Sequence, residues 1–290
     1  MRLYIVSVLT VLLALIFPSA MPEIVRAFTK CREFFYKEQP PVIPGILDSR
    51  SLENNYKEIC QKYRNVYRFA TFYDTANRIP IFSAYKYTGQ STSWFRRPRI
   101  PWMVESQLDP PVDDMTVPYA NQAISEDYFN IRERVNRGHL FPCSYAPDNL
   151  TAESTFTLTN IVPQKISFNS GSWNRMENEI NETMNKYCYD DNDNNRVLAY
   201  MLTGAIPGDT KLNERVNIPS YMWMAFCCYN RTGNSWLSQA YWAQNVGEHI
   251  NKGKTISKKS LQDLQEFLSQ TWKKKVMLFN NNCTKKRTTH

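Results

Sequence analysis

The sequence is poor in the residues that usually mark a metal or membrane protein. His139, His249 and His290 are its only histidines among 290 residues. An isolated histidine is more often a partly buried structural residue than a catalytic group. No paired Cys-x-x-Cys spacing occurs, which excludes the common cysteine metal motifs. Beyond the first 20 residues no apolar run is long enough to span a bilayer, which takes about 20 residues. We see no internal repeat and no domain linker.

The N-terminal stretch MRLYIVSVLTVLLALIFPSA has the layout of a secretory signal peptide. Arg2 precedes an apolar run over residues 3–17, and small residues end at Ala20. The alternative is a signal anchor, but the run falls short of the roughly 20 residues that a spanning helix needs. We therefore predict a signal peptide over residues 1–20, with cleavage after Ala27 as the second choice, and no stable membrane insertion afterwards.

The cysteines and sequons agree with export. Without metal spacing, cysteines in an oxidising compartment are expected to form disulfides. The count is odd, so at least one thiol is free or pairs between chains. Cys31 and Cys60 are expected to be close, and the adjacent Cys227 and Cys228 point to opposite faces of a strand and should not bond to each other. The seven cysteines are Cys31, Cys60, Cys143, Cys188, Cys227, Cys228 and Cys283. Four sequons are plausible glycan sites, at Asn149, Asn181, Asn230 and Asn282.

The formal net charge of +8 suits a polyanionic partner such as nucleic acid, glycosaminoglycan or anionic membrane. An ordinary basic surface explains the charge equally well. Charge alone therefore does not choose between these partners.

Hydrophobic patterning predicts one mixed α/β domain. The Pro-rich residues 39–45 are expected to be an extended arm, residues 65–74 and 78–89 a β-hairpin, and residues 90–120 a long surface loop. Strands are predicted at 154–160, 197–204, 221–229, 236–244 and 274–279. Helices are predicted after residue 171, with an apolar stripe from Trp173 to Tyr187, and over residues 260–272.

A cluster of polar residues follows His139. Histidine can accept a proton from water near neutral pH. Asn169, Trp173 and Glu177 are spaced by four, so the amide and the carboxylate lie on similar sides of a helix, and their oxygens suit a hard cation such as magnesium. Arginines at 96–99 could hold a phosphate. These are the parts of a metal-assisted phosphodiesterase, although Asn and Glu are also common at helix starts for structural reasons.

The motif RGH (137–139), followed by TLTNIVPQKISFNSGSWNRME (157–177), resembles the DNA/RNA non-specific endonucleases of the ββα-metal, or His-Me finger, superfamily. The pattern of that family is Asp-Arg-Gly-His, Asn-x-x-Pro-Gln, Asn, Trp and Glu. Further stretches resemble secreted members of the family, namely CREFFY, ATFYDTANRIPIFSAY and WMVESQLD. The resemblance covers roughly residues 28–283, which we take as the domain, and leaves 284–290 as a basic tail. The residues in register are Asn160, Pro163, Gln164, Asn169, Trp173 and Glu177.

The resemblance implies a fold and a set of roles. The fold would be α+β, with a central antiparallel sheet flanked by helices. His139 would be the general base, Asn169 the one direct ligand of Mg²⁺ (or Mn²⁺), and Glu177 would hold a metal-bound water. An upstream arginine would stabilise the phosphate, with Arg99 the first candidate and Arg97 the second. Arg137, Asn160 and Gln164 would position substrate and site. The partner would be DNA, RNA or both, gripped through phosphates, and the products would carry 5′-phosphate and 3′-hydroxyl ends.

One position departs from the family pattern. Asn136 stands where the family usually has Asp, so the shape is kept and the negative charge is lost. If the charge matters, the chain would be a weakly active or inactive secreted glycoprotein that binds nucleic acid or another polyanion on the same fold. If the hydrogen bonds suffice, it would be a working nuclease. His249 and His290 lie outside the motif and are expected to be surface residues.

Overall fold

The structure is a computed structural model that describes residues 23–47, 55–89, 96–109, 119–129, 133–193, 195–249, 253–279 and 283. The predicted signal peptide, the basic tail and the sequon at Asn282 lie outside these residues. No helix in the described ranges is both long enough and apolar enough to cross a membrane.

Twelve strands and four short or medium helices occur in the described part of the chain. The strands are β1 (Glu23–Val25), β2 (Tyr56–Tyr63), β3 (Val66–Asp74), β4 (Ile79–Tyr87), β5 (Val135–His139), β6 (Ile161–Lys165), β7 (Cys188–Tyr189), β8 (Ala199–Ile206), β9 (Thr210–Leu212), β10 (Val216–Ile218), β11 (Tyr221–Asn230) and β12 (Ser235–Gln244). The helices are α1 (Asn149–Ser154), α2 (Ile166–Phe168), α3 (Asn174–Tyr187) and α4 (Leu261–Trp272). A π-helical turn, Asn169–Trp173, joins α2 to α3.

A large antiparallel sheet forms the centre of the fold. Its strand order is β1-β2-β3-β4-β8-β11-β12, and β7 pairs with one end of β11. The predicted hairpin is present as β3 and β4, and the predicted strands at 197–204, 221–229 and 236–244 are present as β8, β11 and β12. The predicted α+β class, a central antiparallel sheet with helices against it, is thus confirmed.

Both faces of this sheet are covered, which explains the nearly continuous apolar run of β11. Met224 and Phe226 face one core, into which α3 inserts its predicted stripe. Trp223 and Ala225 alternate to the other face, where α4 and the N-terminal residues pack. Successive side chains on a strand point in opposite directions, so each core receives every second residue.

The disulfides follow the same alternation. Cys227 bonds to Cys283 in the core beside α4, and Cys228 bonds to Cys188 at the end of α3. The expectation that neighbouring Cys227 and Cys228 do not bond to each other is therefore confirmed, as is the proximity of Cys31 and Cys60, which are bonded. The odd cysteine is Cys143, which is a buried free thiol.

Three local predictions were wrong or incomplete. Residues 154–160 are not a strand: α1 ends at Ser154, a 3-10 turn covers Leu158–Asn160, and the hydroxyl of Thr155 bonds back to the carbonyl of Ala152. The alternation of Thr with Phe and Leu predicted a strand wrongly, because the segment is buried on all sides rather than on one face. Residues 274–279 form a single bridge, Met277 with Val42, instead of a strand.

The predicted surface loop at 90–120 is also partly buried where it is described. The side chain of Glu105 is fully buried and Leu108 is nearly so. Met103 forms a parallel bridge with Thr157, and Gln122 exchanges hydrogen bonds with the backbone of Glu105. This segment lies against the region that follows His139, so it helps to shape the site.

Candidate active site

Two short strands and a helix form the platform of the site. β5 and β6 pair antiparallel, with Asn136 opposite Gln164 and His139 opposite Ile161. The chain then turns through α2 and the π-helical turn into α3. His139 thus ends one strand, while Asn169 and Glu177 come from the helical arm that follows the other.

Gly138 is required by the close packing between these two strands. A Cβ at residue 138 would lie 2.1 Å from Oε1 of Gln164 and 2.6 Å from its Cβ. Such distances are well inside van der Waals contact, so any larger residue would push β5 away from β6. The glycine of the RGH motif therefore sets the approach of the strand that carries His139.

A cleft of about 760 Å³ opens over this platform. It brings together residues that are far apart in the sequence and that sequence reasoning assigned to one site. Its lining includes Arg97, Asn136, Arg137, His139, Asn169 and Glu177.

The imidazole of His139 packs against two aromatic rings that also contact each other. Its centroid is 5.2 Å from that of Trp102 and 5.1 Å from that of Phe156. Its Nε2 is buried and has no hydrogen-bond partner within the described residues. Loss of hydration, reinforced by the positive charge of Arg97, lowers the pKa of His139 to about 3. The ring is therefore neutral at physiological pH and can accept a proton.

Asn169 is held by the residue that departs from the family pattern. Its Nδ2 donates a hydrogen bond of 2.9 Å to Oδ1 of Asn136. An aspartate at position 136 would offer the same acceptor at the same place. The side chain of Asn136 thus retains the orienting hydrogen bond that a carboxylate would make, and only the charge differs.

Glu177 lies in the first turn of α3, facing the cleft. Nε1 of Trp173, one turn earlier, donates to its Oε1 at 2.9 Å. Burial raises the pKa of Glu177 to about 8, and the Trp173 hydrogen bond opposes this only in part. A positive charge placed beside this carboxyl group would lower its pKa again and favour the carboxylate.

The arginines are placed differently from the first choice made on sequence. Arg97 lines the cleft, with its guanidinium 5.1 Å from the ring of Phe156 and Nη1 3.9 Å from Sγ of Cys143. Arg99, the first candidate, lies in a neighbouring shallow pocket with Arg96 and Asn149. Arg97 borders both pockets, so it is the member of the pair that reaches the cleft.

Asn160 and Gln164 support the platform from within the protein. Both are fully buried, and neither lines the cleft. Oδ1 of Asn160 accepts from the backbone N–H of Phe141 and from Ser83, while its Nδ2 donates to the carbonyls of Phe141 and Thr155. Asn160 therefore fixes the chain that follows His139 and does not reach the space where substrate would lie.

Glu248 is a supporting residue that sequence reasoning missed. Its carboxylate accepts hydrogen bonds from the backbone N–H (3.1 Å) and the hydroxyl of Ser172, inside the π-helical turn. Its own N–H donates to Oγ of Ser167 at 2.8 Å. Gly171 leaves room for it, since a Cβ there would lie 2.8 Å from Oε2 of Glu248. No spacing rule could find this contact, because the partners are 76 residues apart.

The donors in the cleft fit a hard divalent cation with few protein ligands. Across the described ranges, no group of three or more His, Cys, Asp or Glu side chains is arranged to hold a metal. The cleft instead offers amide and carboxyl oxygens from Asn169 and Glu177. Magnesium prefers oxygen ligands and keeps several of its waters, so such a sparse set suits it better than it suits zinc.

Comparison of the amino-acid sequence with curated proteins finds several relatives of this chain. The chain is 28% identical over 269 residues to the human Endonuclease domain-containing 1 protein, covering 88% of this chain and 48% of that protein. It is 27% identical over 164 residues to the mouse mitochondrial Nuclease EXOG, covering 48% of this chain and 42% of that protein. The chain thus spans about half the length, or less, of these curated relatives.

A solved structure shares the fold. A chain from the crystal structure of the EndoG/EndoGI complex aligns with a TM-score of 0.56 and 16% identity, covering 72% of this chain and 82% of that one. The family model described as DNA/RNA non-specific endonuclease matches residues 48–285, which is most of the sequence. The resemblance seen in the motifs is thereby confirmed, and this chain belongs to the DNA/RNA non-specific endonuclease family.

Proposed function

We propose that the protein is a secreted, metal-dependent endonuclease that hydrolyses phosphodiester bonds of DNA, RNA or both without sequence preference. The observation that carries this proposal is the convergence of His139, Asn169, Glu177 and two arginines on one cleft. A neutral base, oxygen ligands and phosphate-binding cations are the groups that hydrolysis of a phosphodiester requires.

His139 acts as the general base. Its neutral ring takes a proton from the attacking water, and its packing against Trp102 and Phe156 restricts the orientations that it can adopt. Arg97 stands on the same side of the cleft and binds the phosphate oxygens, a role for which the sequence first favoured Arg99. The same guanidinium disfavours protonation of His139, so the imidazole is neutral before it meets the attacking water.

Asn169 would hold the metal directly, and Glu177 would hold a water beside it. A bound Mg²⁺ or Mn²⁺ would neutralise the charge that develops on the phosphate and its leaving oxygen. Asn136 holds the Asn169 amide in place, while Trp173 holds the carboxyl group of Glu177. Arg137, whose guanidinium lies over the ring of Trp102, positions the substrate in the same cleft.

Export is supported by three disulfides, which persist in oxidising compartments. β1 begins at Glu23 and pairs with β2. Cleavage after Ala27 would remove this strand, whereas cleavage after Ala20 keeps it, so we favour the earlier position.

The alternative function, a non-catalytic polyanion-binding protein, rests on the missing charge at position 136. The hydrogen bond from Asn169 to Asn136 argues for retained activity, because the ligand amide keeps its orienting partner.

Cleavage of supercoiled plasmid by the purified protein tests the proposal, with Mg²⁺ and with chelator. His139→Ala should abolish cleavage while circular dichroism and thermal unfolding stay close to wild type. His249→Ala is the matched control, since this exposed histidine lies outside the cleft. Cleavage that persists in His139→Ala would overturn the assignment. Absence of cleavage by well-folded wild type with several metals and substrates would favour the binding protein.

A further inference from the structure

Three aromatic rings lie around the guanidinium of Arg137, a lining residue of the cleft. The Cζ atom of Arg137 lies 5.4 Å from the ring centre of Trp102, 5.1 Å from that of Tyr128 and 5.5 Å from that of Phe129. Trp102, Tyr128 and Arg137 line the cleft itself. Nη2 of Arg137 also donates to the carbonyl of Ser125 at 3.0 Å, so the guanidinium is fixed in position.

Phe129 is the exposed member of this aromatic group. Its side chain is 59% exposed, whereas Tyr128 is 8% exposed. Single exposed apolar residues are ordinary on protein surfaces and need no explanation. Phe129 differs because it contacts a cleft arginine on one side and leaves most of its surface open beside the site of hydrolysis.

The backbone that presents Phe129 is firmly anchored. The 3-10 turn Ser125–Tyr128 precedes it, and the N–H of Phe129 donates to the carbonyl of Glu126 at 3.1 Å. Asp127 in this turn accepts from the N–H of Ile124 and forms an ion pair of 2.9 Å with Arg215. The backbone that carries the ring is therefore held in place before any ligand arrives, which lowers the entropy lost on binding.

A flat apolar ligand next to a phosphate matches this arrangement. Every nucleobase has a π-face that stacks on aromatic side chains, and guanidinium groups contribute cation–π contacts to such stacks. Arg97 and Arg137 provide positive charge for the adjoining phosphates across the cleft. In a duplex the base faces are already occupied by their neighbours, so only an unpaired or unstacked base can use the ring of Phe129.

We propose that Phe129, backed by Arg137 and Tyr128, is a stacking site for an unpaired nucleobase and gives the enzyme a preference for single-stranded nucleic acid. This preference rests on the proposed nuclease function and specifies its substrate class. The site contacts base faces and not base edges, so it adds affinity without adding sequence specificity.

Binding measured in the His139→Ala background tests the proposal without cleavage. Fluorescence anisotropy would compare a labelled single-stranded oligonucleotide, the same strand in a duplex, and strands with an abasic site at successive positions. Phe129→Ala should weaken single-strand binding by about 5- to 100-fold and lower the ratio of single-strand to duplex affinity. Phe129→Trp should restore that ratio, and Phe129→Leu, which keeps apolar bulk without a π-face, should not.

The controls separate this proposal from the nuclease assignment. Val66→Ala removes another exposed apolar side chain, 50% exposed on β3 and outside the cleft, and should leave the ratio unchanged. An abasic site at one position of the strand should weaken binding to the protein that carries Phe129. The same abasic site should not weaken binding to the Phe129→Ala variant. An unchanged ratio in Phe129→Ala, with metal-dependent plasmid cleavage intact in the wild type, would overturn the stacking site alone. A shifted ratio without any wild-type cleavage would keep the stacking site and overturn the nuclease function.

Discussion

Removing the amide of Asn136 should raise the magnesium requirement of cleavage. Nδ2 of Asn169 donates to Oδ1 of Asn136 at 2.9 Å, and this bond orients the amide whose oxygen we assign to the metal. In Asn136→Ala the Asn169 side chain loses that constraint and a half-buried donor loses its acceptor. The effect should therefore appear in metal affinity more than in folding.

The size of the effect follows from the type of hydrogen bond. Leaving a buried donor unpaired costs roughly 1–3 kcal/mol, and exposure of this pair to the cleft places it near the lower end. We expect a half-saturating Mg²⁺ concentration about tenfold higher in Asn136→Ala, since 1.4 kcal/mol corresponds to a factor of ten. Asn136→Asp makes the acceptor charged, which strengthens such a bond by about 1 kcal/mol and should lower the Mg²⁺ requirement about fivefold.

The assay is the initial rate of cleavage of a fluorescent oligonucleotide as a function of Mg²⁺ concentration. Asn192→Ala, which alters an exposed asparagine after α3, is the matched control and should follow the wild-type curve. An unchanged half-saturating concentration in Asn136→Ala would refute the assigned role of the Asn169–Asn136 pair. An Asn136→Asp variant no better than wild type would show that the missing charge does not limit this site.

Three further predictions concern residues that support the site or the fold. Gly138→Ala should destabilise the protein by about 1–3 kcal/mol in chemical denaturation, because the new Cβ overlaps Gln164. Glu248→Ala should raise the half-saturating Mg²⁺ concentration severalfold through loss of two hydrogen bonds to Ser172, while the exposed Glu266→Ala should not. Burial raises the pKa of Glu105 to about 9, so the folded state keeps a proton that the unfolded state releases above about pH 4.5. Glu105→Gln should therefore gain stability relative to wild type by about 1.4 kcal/mol per pH unit as pH rises from about 5 to 9.

Each of these predictions has an outcome that contradicts it. Wild-type stability in Gly138→Ala would mean that β5 and β6 can separate without cost. Equal Mg²⁺ curves for Glu248→Ala and Glu266→Ala would remove the positioning role from Glu248. A stability difference between Glu105→Gln and wild type that stays constant from pH 5 to 9 would show that Glu105 does not retain its proton in the folded state.

Hydrophobic patterns in the sequence predicted those elements that are formed by contiguous residues and bury one face. The hairpin of β3 and β4 and the helix α3 were visible because alternation and helical spacing report directly on burial of one face. The Thr-rich segment at 154–160 failed for the opposite reason. It is buried on every side, so its alternation carried no information about which face met solvent.

The sequence by itself determined the family, which histidine belongs to the family motif, and the spacing of the other motif residues. It could do so because RGH and the stretch from Asn160 to Glu177 are contiguous motifs. Only the tertiary structure decided which arginine reaches the cleft, what holds Asn169, and how Glu248 and Phe129 relate to the site. These relations join residues that are from 8 to 76 positions apart on separate elements. They depend on strand pairing and packing, which fix distances that no local spacing encodes.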